Sequence, residues 1–239
     1  MSELVRPAAE WELQTVMSKL AAQNVPVEIV GLGALRNAGR PSPAKVVIST
    51  ASMRGVTLYE PNELVMSARA GTPLFQIEAE LASRGQMLPF EPVDLGPTTG
   101  APARTLSIGG VFATNFSGSR RVVAGSARDH LLGVHGVNGR AELFKSGGRV
   151  MKNVTGLDVA RGLTGSWGTL AVLTELTFKV VPLPESMMTL VYRNLPDDLA
   201  IEALTTAMGS PYEVSGAAHL PKGAAPDTSY GEPIAVVRA

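Results

Sequence analysis

Thr105-Leu-Ser-Ile-Gly-Gly-Val-Phe-Ala-Thr-Asn115, followed at once by Phe116-Ser-Gly-Ser-Arg120, decides the reading of this chain. Two adjacent glycines, Gly109 and Gly110, lead into small residues, then Asn115 and Gly118. The pattern predicts bare backbone where a helix begins. Such a place offers unpaired N–H groups to an anion at the positive end of the helix dipole. A glycine-rich turn by itself is more often only a tight turn. The remaining sequence has to raise it above that.

Two further bare loops do so. Val25–Val30 reads as a strand, with Pro26 near its start, where a missing N–H is tolerated. It runs into Gly31-Leu-Gly-Ala-Leu-Arg-Asn-Ala-Gly-Arg40, and Ala44–Ser49 reads as the next strand. A dinucleotide-binding Rossmann unit needs a strand, G-x-G-x-x-G and then a helix. Gly31 and Gly33 fit, but Arg36 stands at the third position and a strand follows, so that unit is excluded. No Gly-Lys-Ser/Thr occurs, which excludes a Walker loop. The third loop is Gly165-Ser-Trp-Gly168. Three bare loops exceed what one phosphate needs. They suit a long, jointed ligand with a pyrophosphate in its middle, held by backbone N–H groups that glycine lets approach closely. A dinucleotide such as FAD is the natural candidate.

Composition sets the limits. The chain has 239 residues, 45% hydrophobic and 18% charged, enough for a core of one large or two small domains. Net charge is zero and no basic block occurs, which argues against nucleic acid and anionic lipid as partners. No apolar run has the length of a membrane helix, and the start, Met1-Ser-Glu-Leu-Val-Arg, lacks the pattern of a signal peptide. A cytoplasmic location is expected. With no cysteine, the chain itself has no disulfide, thiol nucleophile or cluster ligation. The three histidines, His130, His135 and His219, have no metal-ligand spacing, and no metal is expected.

The other segments alternate. Residues 9–23 predict an amphipathic helix with Trp11, Leu13, Val16, Met17, Leu20 and Ala21 on one stripe. Residues 55–70 predict two strands about a Pro61-Asn62 turn. Thr72 reads as the N-cap, and Pro73 as the first residue, of a helix to about Ser83. Asn138-Gly139 between apolar runs signals a hairpin. Lys152–Arg161 reads as a turn and short helix, and Thr169–Val181 as a long strand. Beyond Pro184 a strand (187–192), a helix (196–208) and a strand (212–218) form a βαβ run. The fold class expected is α+β.

Lys152-Asn-Val-Thr-Gly-Leu-Asp158 with Gly165-Ser-Trp-Gly-Thr-Leu-Ala-Val-Leu-Thr-Glu175 resembles the signature of vanillyl-alcohol-oxidase (PCMH-type) FAD-binding domains. More narrowly, the chain resembles the smaller FAD-binding subunits of bacterial glycolate oxidases. Gly71-Thr-Pro-Leu, Gly85–Pro92, Ser107-Ile-Gly-Gly110 and Gly125–Gly133 support this, over roughly residues 25–185. The resemblance implies a FAD-binding domain at 1–185, in subdomains of about 1–85 and 86–185, and a partial cap at 186–239. It implies cofactor contacts at Gly31, Leu32, Gly33, Ala34, Leu35 and Arg36, and at Pro89, Glu91 and Pro92. In the opening stretch it implies contacts at Thr105, Ser107, Ile108, Gly109, Gly110, Ala113, Thr114, Asn115 and Gly118. Gly168, Leu170 and Val172 would hold the adenine side.

The implied reaction is oxidation of a 2-hydroxy acid, glycolate, to the 2-oxo acid, with electrons leaving through a larger FAD-containing subunit and an iron–sulfur subunit. Any contact with the inner membrane face would come through those partners. Covalent flavin attachment needs a His or Cys at the flavin. Residues 31–40 and 105–118 contain neither, so noncovalent FAD is expected. Two other roles stay open: a non-catalytic docking subunit, and a same-fold oxidoreductase for another 2-hydroxy acid or alcohol. No catalytic residue is assigned. Arg120, Arg121, Arg128, Asp129 and His130 cluster in sequence, and Asp129 reads best as a cap or an arginine partner.

Overall fold

The computed structural model describes residues 2–148, 157–222, 224 and 232–239. Lys152–Gly156 of the signature block lie outside the described residues; Leu157 and Asp158 lie within them.

The chain begins with β1 (Glu3–Val5), α1 (Glu10–Ala22), β2 (Val27–Val30) and β3 (Val46–Ser49). These strands form a parallel sheet in the order β1-β3-β2. A central parallel strand is covered on both faces and needs no polar alternation, and all four residues of β3 are buried. Leu13 and Met17 of α1 are buried against it. Trp11 leaves the expected stripe: it is 66% exposed. At about 100° per residue, positions 11 and 13 face nearly opposite sides of a helix, so the seam runs through Leu13, Met17 and Leu20.

A five-stranded antiparallel sheet follows, in the order β4-β5-β9-β7-β8. Its strands are β4 (Val56–Glu60), β5 (Val65–Arg69), β7 (Leu131–Asn138), β8 (Leu143–Gly147) and β9 (Ala171–Lys179). The expected Pro61-Asn62 turn joins β4 to β5. The change of sheet therefore falls between β3 and β4, well before residue 85. Helices α2 (Leu74–Ala82) and α3 (Ile108–Thr114) pack on this sheet through Leu74, Ile77, Leu81, Val111 and Phe112. Phe112 lies 5.7 Å from Phe90 and 5.5 Å from Phe178, ring centre to ring centre. Short elements complete this part: β6 (Gln86–Met87), α4 (Arg121–Ala124), α5 (Ala127–His130), α6 (Val159–Leu163) and β10 (Val181–Pro182), with β10 pairing β6.

Two local expectations change. Thr72 does not cap α2; Pro73 holds that position. The Thr72 hydroxyl donates to Arg69 O at 2.6 Å and accepts from Gly55 N at 3.0 Å, so it is spent on the end of β5. The Asn138-Gly139 hairpin forms, but the left-handed residue is Ala141 (φ 61°), not Gly139. The Asn138 side chain accepts from Arg140 N and Glu142 N, which fixes the loop without glycine.

The C-terminal part is a three-stranded antiparallel sheet with one helix: β11 (Thr189–Arg193), α7 (Asp197–Met208), β12 (Gly216–Leu220) and β13 (Ile234–Arg238). β13 lies between β11 and β12, so the βαβ run encloses a later strand. β12 starts at Gly216, later than the expected residue 212. Ala200 and Leu204 of α7 are buried with Val214, Ala235 and Val237.

Candidate functional site

A cleft of about 380 Å³ lies where three loops meet. One wall is β2 with the loop Gly31–Arg36; the second is Thr105–Ser107 with Gly109, Gly110, Ala113 and Thr114; the third is Trp167–Thr169 with Ala171 and Leu173. The first two walls touch. A Cβ on Gly31 would stand 2.2 Å from Ser107 Oγ, so any larger residue there has to displace the Ser107 hydroxyl. Ser49 Oγ donates to Gly31 O at 2.9 Å, and the Thr99 hydroxyl donates to Ala34 O. The 31–37 loop is therefore pinned from β3 and from the 97–99 turn.

The donors differ from the expected ones. The first amides of α3 are already used: Ile108 N donates to Thr72 O at 2.9 Å, Gly109 N to Ala70 O at 2.8 Å, and Gly110 N to Ser107 Oγ at 3.2 Å. α3 is only seven residues long, and its start is stitched to the segment between β5 and α2, with a bridge between Pro73 and Ser107. The start of α3 supplies shape and close approach, while the N–H groups of Thr105, Leu106 and Ser107 just before it, which line the cleft, have no protein partner among the described residues. The N–H groups of Leu32, Gly33, Ala34 and Leu35 likewise have no protein partner among the described residues. Gly33 takes φ 95°, which turns the backbone there and favours glycine.

The cleft carries one carboxylate, Glu28, and two guanidinium groups, Arg36 and Arg40. Arg36 grips Glu28 with two bonds, Nε to Oε1 at 3.0 Å and Nη2 to Oε2 at 3.2 Å, and both residues line the cleft. Such paired contacts fix the guanidinium plane.

Of the expected contacts, Gly31, Leu32, Gly33, Ala34, Leu35, Arg36, Thr105, Ser107, Gly109, Gly110, Ala113, Thr114 and Gly168 line the cleft. Pro89, Glu91, Pro92, Ile108, Asn115, Gly118, Leu170 and Val172 do not. Ile108 and Val172 are core residues, and Leu170 is 60% exposed. Asn115 caps α3 in the left-handed region, and its Oδ1 accepts from Arg128 N. Glu91 pairs with Arg238 of β13, which also donates to Ser119 Oγ and Ser215 Oγ. Gly118 packs on Glu91, with Gly118 N donating to Phe90 O and Glu91 O. Sequence reasoning missed Glu28, Arg40, Ser42, Thr50, Ala70 and Trp167. Of these, Arg40 and Trp167 carried a signal, since each sits inside a loop already singled out.

The cluster near residue 130 is structural. Asp129 Oδ2 accepts from Ser126 N at 2.7 Å and Ser126 Oγ at 2.9 Å, as a capping box. Those bonds lower its pKa below the usual carboxylate range. His130 stacks on Phe90, and burial lowers its pKa. Because Ala124 O can only accept, His130 Nε2 donates to it at 2.7 Å, leaving Nδ1 buried without a partner. Arg120 Nε is likewise buried without a partner. No cluster of metal-ligand side chains occurs among the described residues.

The three-stranded parallel sheet, through β2, and the five-stranded antiparallel sheet, through Ala171 and Leu173 of β9, both line this cleft. Residues 2–147 match the model of the FAD binding domain family. The chain belongs to that family, and FAD is its cofactor. It is 39% identical over 174 residues to the glycolate oxidase subunit GlcE of Escherichia coli, covering 73% of this chain and 47% of that one. It is 31% identical over 157 residues to a D-lactate dehydrogenase of Anaerostipes hadrus, covering 65% and 31% respectively. The chain thus spans half or less of the length of these relatives. Alkyldihydroxyacetonephosphate synthase shares the fold, with a TM-score of 0.76 at 17% identity over 98% of this chain and 46% of that one. No described helix is long and apolar enough to cross a membrane.

Proposed function

We propose that this chain carries the FAD of an enzyme that oxidises a 2-hydroxy acid, glycolate, to the 2-oxo acid, glyoxylate. The observation that carries the reading is the row of unpartnered amides Leu32–Leu35 in a loop that lines the same cleft as Ser107 and Gly110. A pyrophosphate needs donors, and in a chain of zero net charge backbone N–H groups supply them. In this reading the Leu32–Leu35 amides hold the pyrophosphate and Arg36, oriented by Glu28, stands beside it. Ser107, Gly109, Gly110, Ala113 and Thr114 form the close-fitting opposite wall, and Gly168 backs the adenine side. None of the three histidines lines the cleft, which supports noncovalent attachment.

Bound FAD supplies a two-electron acceptor. The chain's own part is to orient it and to shield its ring system from water. Residues 1–185 form the cofactor domain in this reading, and 186–239 part of a cap over the substrate end, tied to it by Arg238 and Glu91. Electrons pass to a larger FAD-containing subunit and an iron–sulfur subunit of a cytoplasmic complex, which meets the inner membrane face through those partners. The glycolate oxidase subunit among the relatives supports this assignment. The lactate dehydrogenases among them favour a second reading, with D-lactate as substrate.

The purified chain is expected to show an oxidised-flavin spectrum, or to acquire one with added FAD. Free FAD at about 100 times its Kd adds about 2.7 kcal/mol of stability. For a chain of this size that is a rise in Tm of about 5–10 °C. Colourless protein with no shift refutes the cofactor site. Turnover of glycolate and D-lactate with an artificial acceptor, by the chain and by its complex, decides between the substrates.

A further inference from the structure

We propose that Trp167 is the surface on which the adenine ring of FAD stacks, and that it sets the chain's affinity for the adenosine half of the cofactor; this rests on the FAD reading above. Trp167 lines the cleft and is 47% exposed. Its backbone is left-handed (φ 55°), a rare conformation for a bulky residue that persists only when neighbours impose it. They do: Trp167 N donates to Ala113 O at 2.8 Å, and Gly165 N to Phe112 O at 3.1 Å. The loop is thus tied to α3 at two points. Phe116 meets the indole edge-on at 5.6 Å and 85°, fixing the ring plane. A large aromatic ring is held in one orientation at a ligand cleft and left half uncovered.

The position selects the base rather than the flavin. Gly168, the next residue, packs against Ile29, so Trp167 stands at the rim beside β2. Val27 and Ile29 line the same end, and the free amides Leu32–Leu35 begin one residue beyond β2 plus Gly31. A ring that reacts has to be enclosed from water. A half-exposed indole at the rim suits the ring that only anchors.

Only two tryptophans are present, and Trp11 lies on α1, outside the residues that line the cleft. In full-length Trp11→Phe protein stripped of flavin, Trp167 is the only indole emitter. Adding ADP should quench its emission saturably. Trp167→Ala should weaken ADP and FAD binding, measured by calorimetry, by about 5- to 150-fold, the range for base–aromatic stacking. It should leave FMN binding within about twofold, and Trp167→Phe should restore most of the ADP affinity. Circular dichroism melts confirm that the variants fold. Unchanged ADP affinity in Trp167→Ala, or a loss confined to FMN, overturns the proposal while the FAD site stands. Wild-type protein that takes up neither FAD nor ADP overturns both.

Discussion

Gly31→Ala tests the contact between the two walls of the cleft. The added methyl would stand 2.2 Å from Ser107 Oγ and 3.3 Å from Ser107 Cβ. Gly31 does not have a positive φ, so alanine brings no backbone strain of its own. The Ser107 hydroxyl has to turn away, and with it goes the bond it accepts from Gly110 N, the cap of α3. Losing a serine cap costs about 0.5–2 kcal/mol, and the residual crowding adds on the order of 1 kcal/mol. The total is about 1–3 kcal/mol. In a Ser107→Gly background the obstructing atoms are gone. There the same change should be neutral or stabilising by up to about 1 kcal/mol, because alanine narrows the unfolded ensemble. Urea denaturation of the four proteins gives the cycle. An interaction energy of about 2 kcal/mol is expected. Equal cost of Gly31→Ala in both backgrounds would refute the direct contact and the facing of the two loops.

Gly109→Ala should destabilise by about 1–3 kcal/mol or more, because its methyl would meet Ala70 O at 2.7 Å and Ala70 Cβ at 2.8 Å. Gly110→Ala should stay within about 1 kcal/mol of wild type, since its methyl meets only the ends of two side chains, Leu106 Cδ1 and Ser107 Oγ, each at 3.3 Å, and alanine favours the helix; similar costs in the two melts would contradict this. Arg238→Met leaves Glu91, Ser119 and Ser215 without their shared donor. The pair is about one quarter exposed on each side, so about 1–2 kcal/mol is expected, seen as faster proteolysis between residues 186 and 239; unchanged cleavage would show that the bridge does not hold the C-terminal sheet. His130 has its pKa lowered by burial, opposed by its bond to Ala124 O and by Asp129, with Lys179 adding to the lowering. The unfolded chain therefore takes the proton at higher pH. Its contribution is complete above the ordinary imidazole range and lost as pH falls through that range toward the lowered value. The urea midpoint should fall between about pH 7.5 and about pH 5.5, and His130→Phe should flatten that fall; an equal slope in the variant would rule His130 out as its source.

How much of the fold was legible depends on where period and packing agree. α1, α2 and α7 show in the spacing of apolar residues, because each buries one stripe. β5, β7 and β9 show as apolar runs for the same reason. Trp11 was misplaced because hydrophobicity alone was counted, without its angle on the helix. Thr72 was misplaced because a cap and a strand-end tie ask for the same residue type, and only the position of Arg69 O and Gly55 N decides between them. The inserted position of β13 between β11 and β12 has no local signal, since register is set by pairing across the sheet.

The site shows the same division more sharply. The sequence identifies all three loops because glycine marks backbone that must turn or approach closely. It does not say whether an amide in such a loop is free. Gly109 is a glycine because Ala70 lies against it, and that same closeness lets Gly109 N bond to Ala70 O. The residue that most resembles an anion cradle is therefore occupied by its own strand neighbour. Gly33 has nothing within 4 Å of its missing side chain, so its glycine answers to conformation rather than to contact, and the amides around it remain open. One glycine type is explained by the protein's own packing; the other is left for a ligand. Thr105, Ser107, Gly109, Gly110, Ala113 and Thr114 keep their place in the cleft, on the wall that Gly31 closes against, while open amides sit on Leu32–Leu35 and on Thr105–Ser107. In the reading proposed above, a pyrophosphate would draw its bonds from those amides and its close fit from the start of α3. Substitutions at Gly31 and at Gly109 should therefore act on cofactor affinity and on stability together.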